Sequence, residues 1–594
     1  MIESSYRFEP QRHEETLAAL IEELEALDEW TRPAYERLLR RYPKNGCGFY
    51  SKAEILAGFR HLNAERGWRR DERRFAAKIR MKPIRTLSGV APVTVLTKPY
   101  PCPGRCIFCP SDVRMPKSYL SDEPGAQRAA EHRFDPYRQT LSRLRALHTI
   151  GHPVDKVELI VLGGTWSSYP EAYQVWFVTR CFDALNGFEA WRRDGAIDWP
   201  DDPPVDYSTN TERIDGARPV RGYNAAVTAF AERQASEPAS GDSDSDVDWE
   251  RLAAAQERNE AAAARCVGLV LETRPDNLDA AEALRLRRLG TTKVQLGLQS
   301  LDDRVLAMNR RGHDVAAARR AFRLLRGMGF KIHAHWMPNL YGSTPEADVE
   351  DFERLFADPA FRPDELKIYP CSLIESAELM RHYESGAWRP YEHDELLAVL
   401  TACLVRTPEY CRVTRVVRDI PGTDIVDGNK LTNFREIAER AIDERGARRR
   451  EIRSREVRAR RIDPAELTLQ RIDYATSAGR EVFFQFVTPD DRLAAFLRLA
   501  LPATPAPVEE LGRSAVLREV HVYGRLVEIG GRKPGRSQHR GLGRRLIEAA
   551  ADEARARGFE NLAVISSVGT RRYYRSLGFT DGPLYQHRTL VAGR

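Results

Sequence analysis

The sequence predicts a multidomain α/β protein, in which a buried parallel sheet follows a helical region and precedes a second, smaller α/β unit. Short runs rich in Val, Ile and Leu alternate with helical patterns in the middle of the chain, as in a parallel sheet covered on both faces. The length of 594 residues also exceeds one ordinary domain, since a domain usually takes about 100 to 200 residues.

Residues 1–90 are expected to be helical, because apolar residues recur at helical spacing in TLAALIEELEALDEW. Residues 91–400 carry the alternating β-rich and helical patterns. The β-rich runs are 156–164, 266–273, 292–300, 331–340 and 365–371. Polar residues at the carboxyl ends of such strands commonly face a ligand, so candidate site residues are sought there.

Three further segments complete the predicted organisation. Residues 187–248 are Pro-rich and acidic and end in ASEPASGDSDSDVDW, which indicates a largely disordered surface insertion. Residues 401–470 are expected to be a charged linker. Residues 471–594 start a new pattern of β-rich runs, the helix QHRGLGRRLIEAAADEARARG and the strand NLAVISSV, which indicates a separate domain.

Two basic stretches, residues 60–85 and 445–461, stand out in a chain of net charge +6. Each is either a solvated helical face paired with acids or a surface for a phosphate-rich polymer. The first has few acids to balance it, which favours nucleic acid there. No run approaches 18 apolar residues and no signal-peptide pattern opens the chain. We therefore expect a cytoplasmic protein with reduced thiols and no membrane partner.

Three of the nine cysteines lie close together, as Cys102-x3-Cys106-x2-Cys109 in KPYPCPGRCIFCPSD. A structural zinc site would supply four ligands, and a disulfide framework belongs to small secreted chains. Three thiolates can instead hold a [4Fe-4S] cluster whose fourth iron stays open to S-adenosylmethionine (SAM). One-electron reduction of bound SAM gives a 5′-deoxyadenosyl radical.

This cysteine pattern at the head of parallel α/β sequence resembles the radical SAM superfamily, whose fold is a partial parallel (β/α)6 barrel. The resemblance implies a small-residue turn against the methionine part of SAM, made of Gly163, Gly164 and Thr165. Glu272 and Gln299 end successive predicted strands and are candidates for binding the SAM amine or ribose hydroxyls. His333 and His335 share one strand face, so they are either zinc ligands or polar groups that line the barrel.

A second candidate site lies near the C-terminus. Gln538, Gly541 and Gly543 in QHRGLG follow a predicted strand and precede a helix, so backbone N–H groups there can bind a pyrophosphate. The order of strand, loop, helix and strand resembles the GNAT acetyltransferase fold, which implies acetyl-CoA binding. Tyr573 and Tyr574 lie where GNAT enzymes often place a tyrosine near the thioester sulfur. Core packing is the alternative interpretation of these two tyrosines.

A radical SAM domain joined to a GNAT domain resembles the catalytic subunit of Elongator in its single-chain archaeal and bacterial form. Matching stretches include CPGRCIFCP, VLETRPD, HAHWMPNLYGST, RDIPG, EVHVYG and SVGTRRYYRSLGF. The resemblance implies synthesis of 5-carboxymethyluridine at the wobble uridine, U34, in the anticodon region of tRNA. In the implied reaction the radical takes hydrogen from the methyl group of acetyl-CoA. The resulting carbon radical adds to C5 of the uracil, and thioester hydrolysis releases CoA.

The same resemblance implies roles for individual residues and partners. The candidate catalytic residues are Lys156, which would contact acetyl-CoA from the radical SAM domain, Tyr573 and Tyr574. The implied acetyl-CoA contacts in the GNAT domain are Glu519, Val520, His521, Val522, Leu542, Gly543, Arg544 and Tyr574. The basic N-terminal region would bind tRNA. A reductant protein such as a ferredoxin or flavodoxin would supply electrons, and a homodimer is considered as the oligomeric state.

Two features depart from the family pattern. The cysteine spacing is compact, without the insertion that eukaryotic members have before the last two cysteines. Arg449 stands where many members have a cysteine, which removes support for a zinc site there. The main alternative function is a protein lysine acetyltransferase with a structural iron–sulfur domain. A third hypothesis, a tRNA-binding module with degenerate catalysis, conflicts with the intact cysteine triad.

Overall fold

A computed structural model describes residues 8–27, 31–45, 48–80, 86, 88–194, 223–225, 227–228, 247–458, 462–523 and 541–590. The N-terminal region is helical, as predicted, and has a hydrophobic core of its own. Its helices are α1 (Glu14–Ala26), α2 (Arg32–Arg41), α3 (Lys52–Glu65) and α4 (Glu72–Ile79). Phe59 of α3 stacks on Phe75 of α4 with ring centroids 4.3 Å apart, and this contact packs the basic α4 against the rest of the region.

Seven parallel strands form the first sheet, in the order β1-β2-β3-β4-β5-β6-β8. They are β1 (Ala91–Leu96), β2 (Lys156–Leu162), β3 (Arg265–Thr273), β4 (Lys293–Gln299), β5 (Lys331–Trp336), β6 (Glu365–Ile368) and β8 (Arg412–Val416). The five predicted β-rich runs correspond to β2–β6. Since every strand runs the same way, the carboxyl ends meet at one edge of the sheet and the amino ends at the other.

Helices follow the strands along the chain, and several of them pack on the sheet. They are α5 (Pro124–Glu131), α6 (Pro136–Thr149), α7 (Glu171–Asp194), α8 (Trp249–Asn259), α9 (Ala280–Arg288), α10 (Asp303–Met308), α11 (Val315–Gly327), α12 (Pro345–Ala357), α13 (Met380–Glu384) and α14 (His393–Arg406). Burial alternates along β2, with Val157, Leu159 and Val161 in the core. The intervening Lys156 and Glu158 point the other way, so one face of the sheet carries charged groups.

Two segments differ from the predicted organisation. Strand β8, α15 (Phe434–Glu444) and α16 (Ile452–Arg455) lie within the stretch 401–470 that we predicted to be a charged linker. The linker prediction is wrong, because Val413 and Val416 are buried side chains of a strand. The sequence does not indicate this strand, since two apolar positions among arginines give no clear pattern. Helix α7 also runs into the predicted insertion. The disorder predicted for residues 195–222, 226 and 229–246 lies outside the described residues.

The C-terminal domain is a second seven-stranded sheet, in the order β10-β11-β12-β13-β14-β16-β15. Its elements are β10 (Thr468–Thr476), β11 (Gly479–Val487), β12 (Leu493–Pro502), β13 (Ala515–Val522), α17 (Leu542–Ala556), β14 (Asn561–Val564), α18 (Arg571–Arg575), β15 (Thr580–Asp581) and β16 (Gln586–Thr589). Strands β13 and β14 pair in parallel and are joined by α17, while neighbouring pairs are antiparallel. A small antiparallel ribbon of β7 (Leu373–Ile374) and β9 (Ile425–Asp427) lies apart from both sheets. In the described ranges, no helix has the length and apolar character to cross a membrane.

Candidate active site

The three cysteines lie in the loop after β1, at the carboxyl edge of the first sheet. Cys106 is buried, while Cys102 and Cys109 are partly exposed. The N–H of Gly104 donates to Cys102 Sγ at 3.4 Å. Among the described residues, no three His, Cys, Asp or Glu groups are arranged around a single metal ion. In an iron–sulfur cluster, each cysteine binds a different iron atom. The three thiols of this loop therefore fit a cluster, although they do not converge on one ion.

Positive charge surrounds the buried Cys106. The guanidinium of Arg311 donates to Cys106 Sγ at 3.3 Å, and an Nη atom of Arg274 lies 3.9 Å from the same sulfur. A hydrogen bond from the Cys109 thiol lowers the pKa of Cys106, burial opposes this effect, and the two arginine charges lower the pKa further. Cys106 is therefore poised to ionise to the thiolate, which is the form that binds iron.

The predicted small-residue turn follows β2 and lies beside the cysteine loop. Gly163 and Gly164 have φ angles of +125° and +67°, which L side chains rarely adopt. A Cβ at Gly163 would overlap the hydroxyl of Thr97, whereas a Cβ at Gly164 would meet nothing within 4 Å. Thr165 Oγ1 lies 3.9 Å from Cys102 Sγ. The turn therefore presents open backbone close to the predicted cluster ligands.

Glu272 and Gln299 lie at the same edge of the sheet as the cysteines. Burial raises the pKa of Glu272, against the opposing charges of Lys367, Arg418 and Arg311. Gln299 has a φ of +74°, and its Oε1 is buried with no hydrogen-bond partner in the described part of the chain. A residue in a rarely adopted conformation with an unpaired buried acceptor is expected where a ligand supplies the missing donor.

Part of the predicted insertion docks on the cysteine loop. The Asn224 side chain accepts from the Cys102 N–H at 3.0 Å and donates to the Cys102 carbonyl at 2.8 Å. The Tyr223 hydroxyl donates to the Met115 carbonyl at 2.8 Å, and Tyr223 is buried. The order of these residues differs from the disorder predicted for 187–248. Composition alone cannot show that a few residues of a polar segment pack on another part of the protein.

His333 and His335 face the inside of the barrel, where both make hydrogen bonds. His333 Nε2 lies 2.9 Å from Thr414 Oγ1, and His335 Nε2 lies 2.9 Å from Gln295 Oε1. Burial lowers the pKa of both histidines well below the usual value, so both are neutral near pH 7. Their partners support the interpretation as polar groups that line the barrel, not as zinc ligands.

Buried ion pairs connect the inside of the barrel to the second sheet. Lys293 Nζ lies 2.6 Å from Glu158 and 2.9 Å from Glu365, and Lys331 Nζ lies 2.7 Å from Glu365. Lys331 also pairs with Glu519 of β13. Both lysines begin their strands, so this contact lies at the amino edge of the barrel. The C-terminal domain is therefore packed against the edge opposite the cysteine loop.

Strands β13 and β14 diverge and form an open groove. They pair only over Ala515–Leu517. In the described ranges, no strand pairs with the side of Glu519–Val522 that faces away from β12. Helix α17 begins at Leu542, directly after Gly541 with a φ of +98°. Its first N–H groups have no partner within the helix and can bind an anion. A groove that ends at a helix N-terminus suits an extended ligand with a phosphate group. Gln538, the first residue of the predicted motif, lies outside the described residues.

The two candidate tyrosines have different surroundings. A Cβ at Gly543 would lie 2.8 Å from the Tyr573 hydroxyl and 3.7 Å from Val522 Cγ2, so Tyr573 faces the start of α17. Tyr573 is 42% exposed, whereas Tyr574 is 7% exposed and packs edge-on against Phe579. Burial raises the pKa of both phenols, so both are neutral near pH 7. Core packing accounts for Tyr574, while Tyr573 is free to meet a ligand.

The other implied acetyl-CoA contacts lie along the same groove. Val520 and His521 are half-buried on β13, Leu542 is buried, and the charge of Arg544 reaches the Tyr573 phenol. Burial lowers the pKa of His521 to about 3, so its imidazole is neutral near pH 7. It therefore offers a ligand a neutral ring and no positive charge.

Lys156 lies at the amino edge, on the side of the C-terminal domain. It pairs in register with Arg265 of β3, and a Cβ at Gly569 would lie 2.7 Å from Arg265 Cβ. Burial lowers the pKa of Lys156, and the charges of Arg265 and Arg73 lower it further against the effect of Asp155. Lys156 is thus near both the segment that leads to Tyr573 and the basic helix α4.

In the first basic stretch, the structure describes residues 60–80, where Arg60 and Arg70 pair with acids and other arginines are exposed. Arg69, Arg73 and Arg74 are exposed, and the Arg70 guanidinium lies 3.6 Å from the centre of the Trp68 ring. Trp68 is half-buried against the N-terminal core, and an aromatic ring stacked with an arginine is found on surfaces that bind single-stranded nucleic acid.

The second basic stretch, residues 445–461, is engaged in ion pairs. Arg449 pairs with Asp443 at 2.8 Å, and the buried Arg455 pairs with Asp491 at 2.6 Å. The interpretation as a charge-paired surface therefore holds for the described part of this stretch, residues 445–458. Arg449, which replaces the cysteine of many family members, belongs to this ion-pair set.

Three residues near the cysteines were not predicted from the sequence: Arg274, Arg311 and Asn224. Arg274 directly follows β3, and the position after a strand end could have suggested it. Arg311 follows α10, and no local pattern directs its side chain to Cys106. Asn224 lies in a segment whose composition indicates disorder. All three were missed because they act through contacts that are distant in sequence.

Comparisons with known proteins identify the domains. The Radical SAM superfamily model matches residues 239–355, and the Radical SAM C-terminal domain model matches residues 363–444. The Acetyltransferase (GNAT) family model matches residues 451–579. The predicted fold class is confirmed: a parallel radical SAM barrel and a GNAT domain follow a helical N-terminal region.

Full-length relatives cover most of the chain. A protein from Dehalococcoides mccartyi named tRNA uridine(34) acetyltransferase is 38% identical over 502 residues, which is 83% of this chain and 96% of the relative. Elongator complex protein 3 of Homo sapiens is 34% identical over 525 residues, which is 85% of each chain. The solved structure of Methanocaldococcus infernus Elp3 with an N-terminal deletion is 32% identical, covers 84% of this chain and 99% of that chain, and gives a TM-score of 0.65. The chain therefore belongs to the family of Elongator complex protein 3 and the tRNA uridine(34) acetyltransferases.

Proposed function

We propose that this protein synthesises 5-carboxymethyluridine at U34 of tRNA from acetyl-CoA and SAM. The observation that carries the proposal is that one barrel has a cysteine loop at its carboxyl edge and a GNAT domain packed on its amino edge. If the acetyl group is itself the target of the radical, this explains why one chain carries both a radical SAM domain and an acetyl-CoA domain. The name tRNA uridine(34) acetyltransferase of the relatives supports U34 as the acceptor.

Cys102, Cys106 and Cys109 would hold a [4Fe-4S] cluster. When bound, the cluster keeps one iron open for the amino and carboxylate groups of SAM and supplies the electron that cleaves SAM to a 5′-deoxyadenosyl radical. The open backbone at Gly164 would pass along the methionine part of SAM, and the unpaired Gln299 would accept a hydrogen bond from it. Thr165 and Glu272 would complete the contacts at this edge.

The acetyl group would be presented from the opposite edge. The N-terminus of α17 would bind the CoA pyrophosphate, β13 would pair with the pantetheine, and Tyr573 and Lys156 would contact the ligand near its thioester. Transfer of a hydrogen atom from the acetyl methyl group to the 5′-deoxyadenosyl radical would give 5′-deoxyadenosine and leave a carbon radical next to the thioester carbonyl. The carbon radical would add to C5 of the uracil. The adduct would then give one electron back to the oxidised cluster and lose the C5 proton, which restores the ring, and water would cleave the thioester to release CoA.

The N-terminal region would bind the tRNA backbone. The exposed Arg69, Arg73 and Arg74 would neutralise phosphates, so affinity should fall steeply with salt. The charge of Arg73 also reaches Lys156, so the proposed tRNA surface would lie next to the amino edge of the barrel. We propose a ferredoxin or flavodoxin as the electron donor and the cytoplasm as the location, where cysteines stay reduced; none of the eight described cysteines forms a disulfide here. A homodimer remains a prediction.

The test is anaerobic incubation of reconstituted protein with unmodified tRNA, SAM, acetyl-CoA and a reductant, followed by mass spectrometry of the nucleosides. We expect 5-carboxymethyluridine from wild type and none from Cys106→Ala. Cys403→Ala is the matched control, because Cys403 is a buried thiol of α14 outside the site, and it should retain activity. Acetylated protein formed without SAM and unaffected by Cys106→Ala would favour the lysine acetyltransferase instead.

A further inference from the structure

Two buried arginines converge on one predicted cluster ligand. Arg311 donates to Cys106 Sγ at 3.3 Å, and Arg274 lies 3.9 Å from the same sulfur. The residues are only 6% and 4% exposed. Buried guanidinium groups are rare unless an anion compensates their charge, so this arrangement needs an explanation.

The fold makes room for both guanidinium groups. A Cβ at Gly104 would overlap an Nη atom of Arg274, and a Cβ at Gly297 would lie 2.5 Å from Arg311 Nη2. Glycines at these two positions therefore let the arginines reach the sulfur. The Gly297 carbonyl accepts from Arg311 at 2.7 Å, and the Arg311 carbonyl accepts from Arg274 at 2.5 Å. Each arginine is thus fixed independently of any substrate.

The two charges are balanced differently. Asp276 accepts two hydrogen bonds from Arg274, at 2.9 and 2.8 Å, so that guanidinium has its own counter-ion. Arg311 makes no ion pair with a carboxylate in the described part of the chain, where its bonds go to a sulfur and a carbonyl. The Cys106 sulfur, and the anionic cluster bound through it, would supply the missing negative charge.

We propose that Arg311, with Arg274 beside it, raises the reduction potential of the iron–sulfur cluster, and this inference rests on the proposed function because it requires that cluster. A cluster with three thiolates is negatively charged, and the added electron makes it more negative. A fixed positive charge therefore stabilises the reduced form more than the oxidised form. The burial of Arg311 strengthens this effect, because little water screens it.

The same guanidinium chemistry could instead bind the carboxylate of SAM. The geometry favours the cluster, because one Nη atom of Arg311 donates to Cys106 and the other to Gly297, and among its nitrogens only Nε has no partner in the described part of the chain. The two roles differ in a measurable way. An arginine that tunes the cluster changes its potential without SAM, whereas one that binds SAM changes only the KM for SAM.

The experiment is a potentiometric titration of the reconstituted cluster, followed by electron paramagnetic resonance without SAM. Arg311→Met should shift the potential to more negative values, and Arg311→Lys should stay near wild type. Arg310→Met is the matched control and should leave the potential unchanged. Arg310 is next to Arg311 in sequence, but its side chain is exposed and pairs with Glu378. Asp276→Asn removes the counter-ion of Arg274, so it should shift the potential the opposite way, to more positive values.

These outcomes separate the inference from the proposed function. No cubane signal from wild type would overturn the proposed function itself. A normal signal whose potential is the same in wild type and Arg311→Met, with a raised KM for SAM, would overturn the inference and assign Arg311 to the SAM carboxylate. If Arg311→Met loses the cluster, Asp276→Asn decides, because structural damage predicts no shift to more positive potential.

Discussion

Asp364→Asn should weaken the contact between the barrel and the GNAT domain. Asp364 is fully buried, and Arg518 donates to its two carboxylate oxygens at 3.0 and 2.5 Å. Burial alone would raise the pKa of Asp364, but the charges of Arg518, Arg498 and Arg326 outweigh it and lower the pKa. Removal of one partner from a buried ion pair costs about 3–5 kcal/mol, because the remaining charge is left uncompensated.

The assay is urea unfolding at pH 7, followed by circular dichroism. Glu353→Gln is the control, because it removes one partner of an exposed ion pair with Arg406 and should cost less than about 1 kcal/mol. The double variant Asp364→Asn with Arg518→Met should lose less stability than the sum of the two single variants, since it leaves fewer unpaired charges. A loss below about 1 kcal/mol for Asp364→Asn, or strict additivity, would refute this account of the interface.

Three further outcomes are expected. Burial holds the pKa of His521 at about 3 in the folded chain, against about 6.5 unfolded. The unfolded state therefore binds more protons between these values, and stability should fall as the pH drops below about 6.5. His521→Gln should flatten this dependence by up to about 1.4 kcal/mol per pH unit, and an unchanged slope would contradict it. Gly163→Ala should weaken SAM binding at least about tenfold through strain and overlap, measured by equilibrium dialysis, while Gly386→Ala, with φ +72° and open space around its Cβ, should not. Asn224→Ala should release iron to a chelator several-fold faster than wild type, whereas Ala225→Ser, at an exposed neighbour, should match wild type.

The sequence predicts the barrel well because periodicity reports burial directly. Strands β2–β6 are runs of apolar residues, and a parallel sheet needs them. Strand β8 cannot be predicted in this way, since Val413 and Val416 supply its only buried side chains. Its arginines are typical of a charged linker. Segment boundaries that depend on charge pairing are therefore harder to predict than those that depend on hydrophobic burial.

The candidate site shows the same division. The cysteine loop and the Gly163–Thr165 turn can be found from local spacing, because the chemistry needs those residue types close together in sequence. Arg311 and Asn224 reach the cysteines from segments about 120 to 205 positions away, so only the folded chain reveals them. Tyr573 and Tyr574 are adjacent in sequence, and only their burial tells the exposed phenol from the packed one.

The central claim is that the radical formed at the cysteine edge acts on the acetyl group held by the GNAT domain. Acetyl-CoA with a fully deuterated methyl group tests it, by mass spectrometry of both the 5′-deoxyadenosine and the tRNA nucleosides. The account predicts one deuterium in 5′-deoxyadenosine and two in the new methylene group of 5-carboxymethyluridine. Unlabelled 5′-deoxyadenosine formed together with labelled carboxymethyluridine would contradict it.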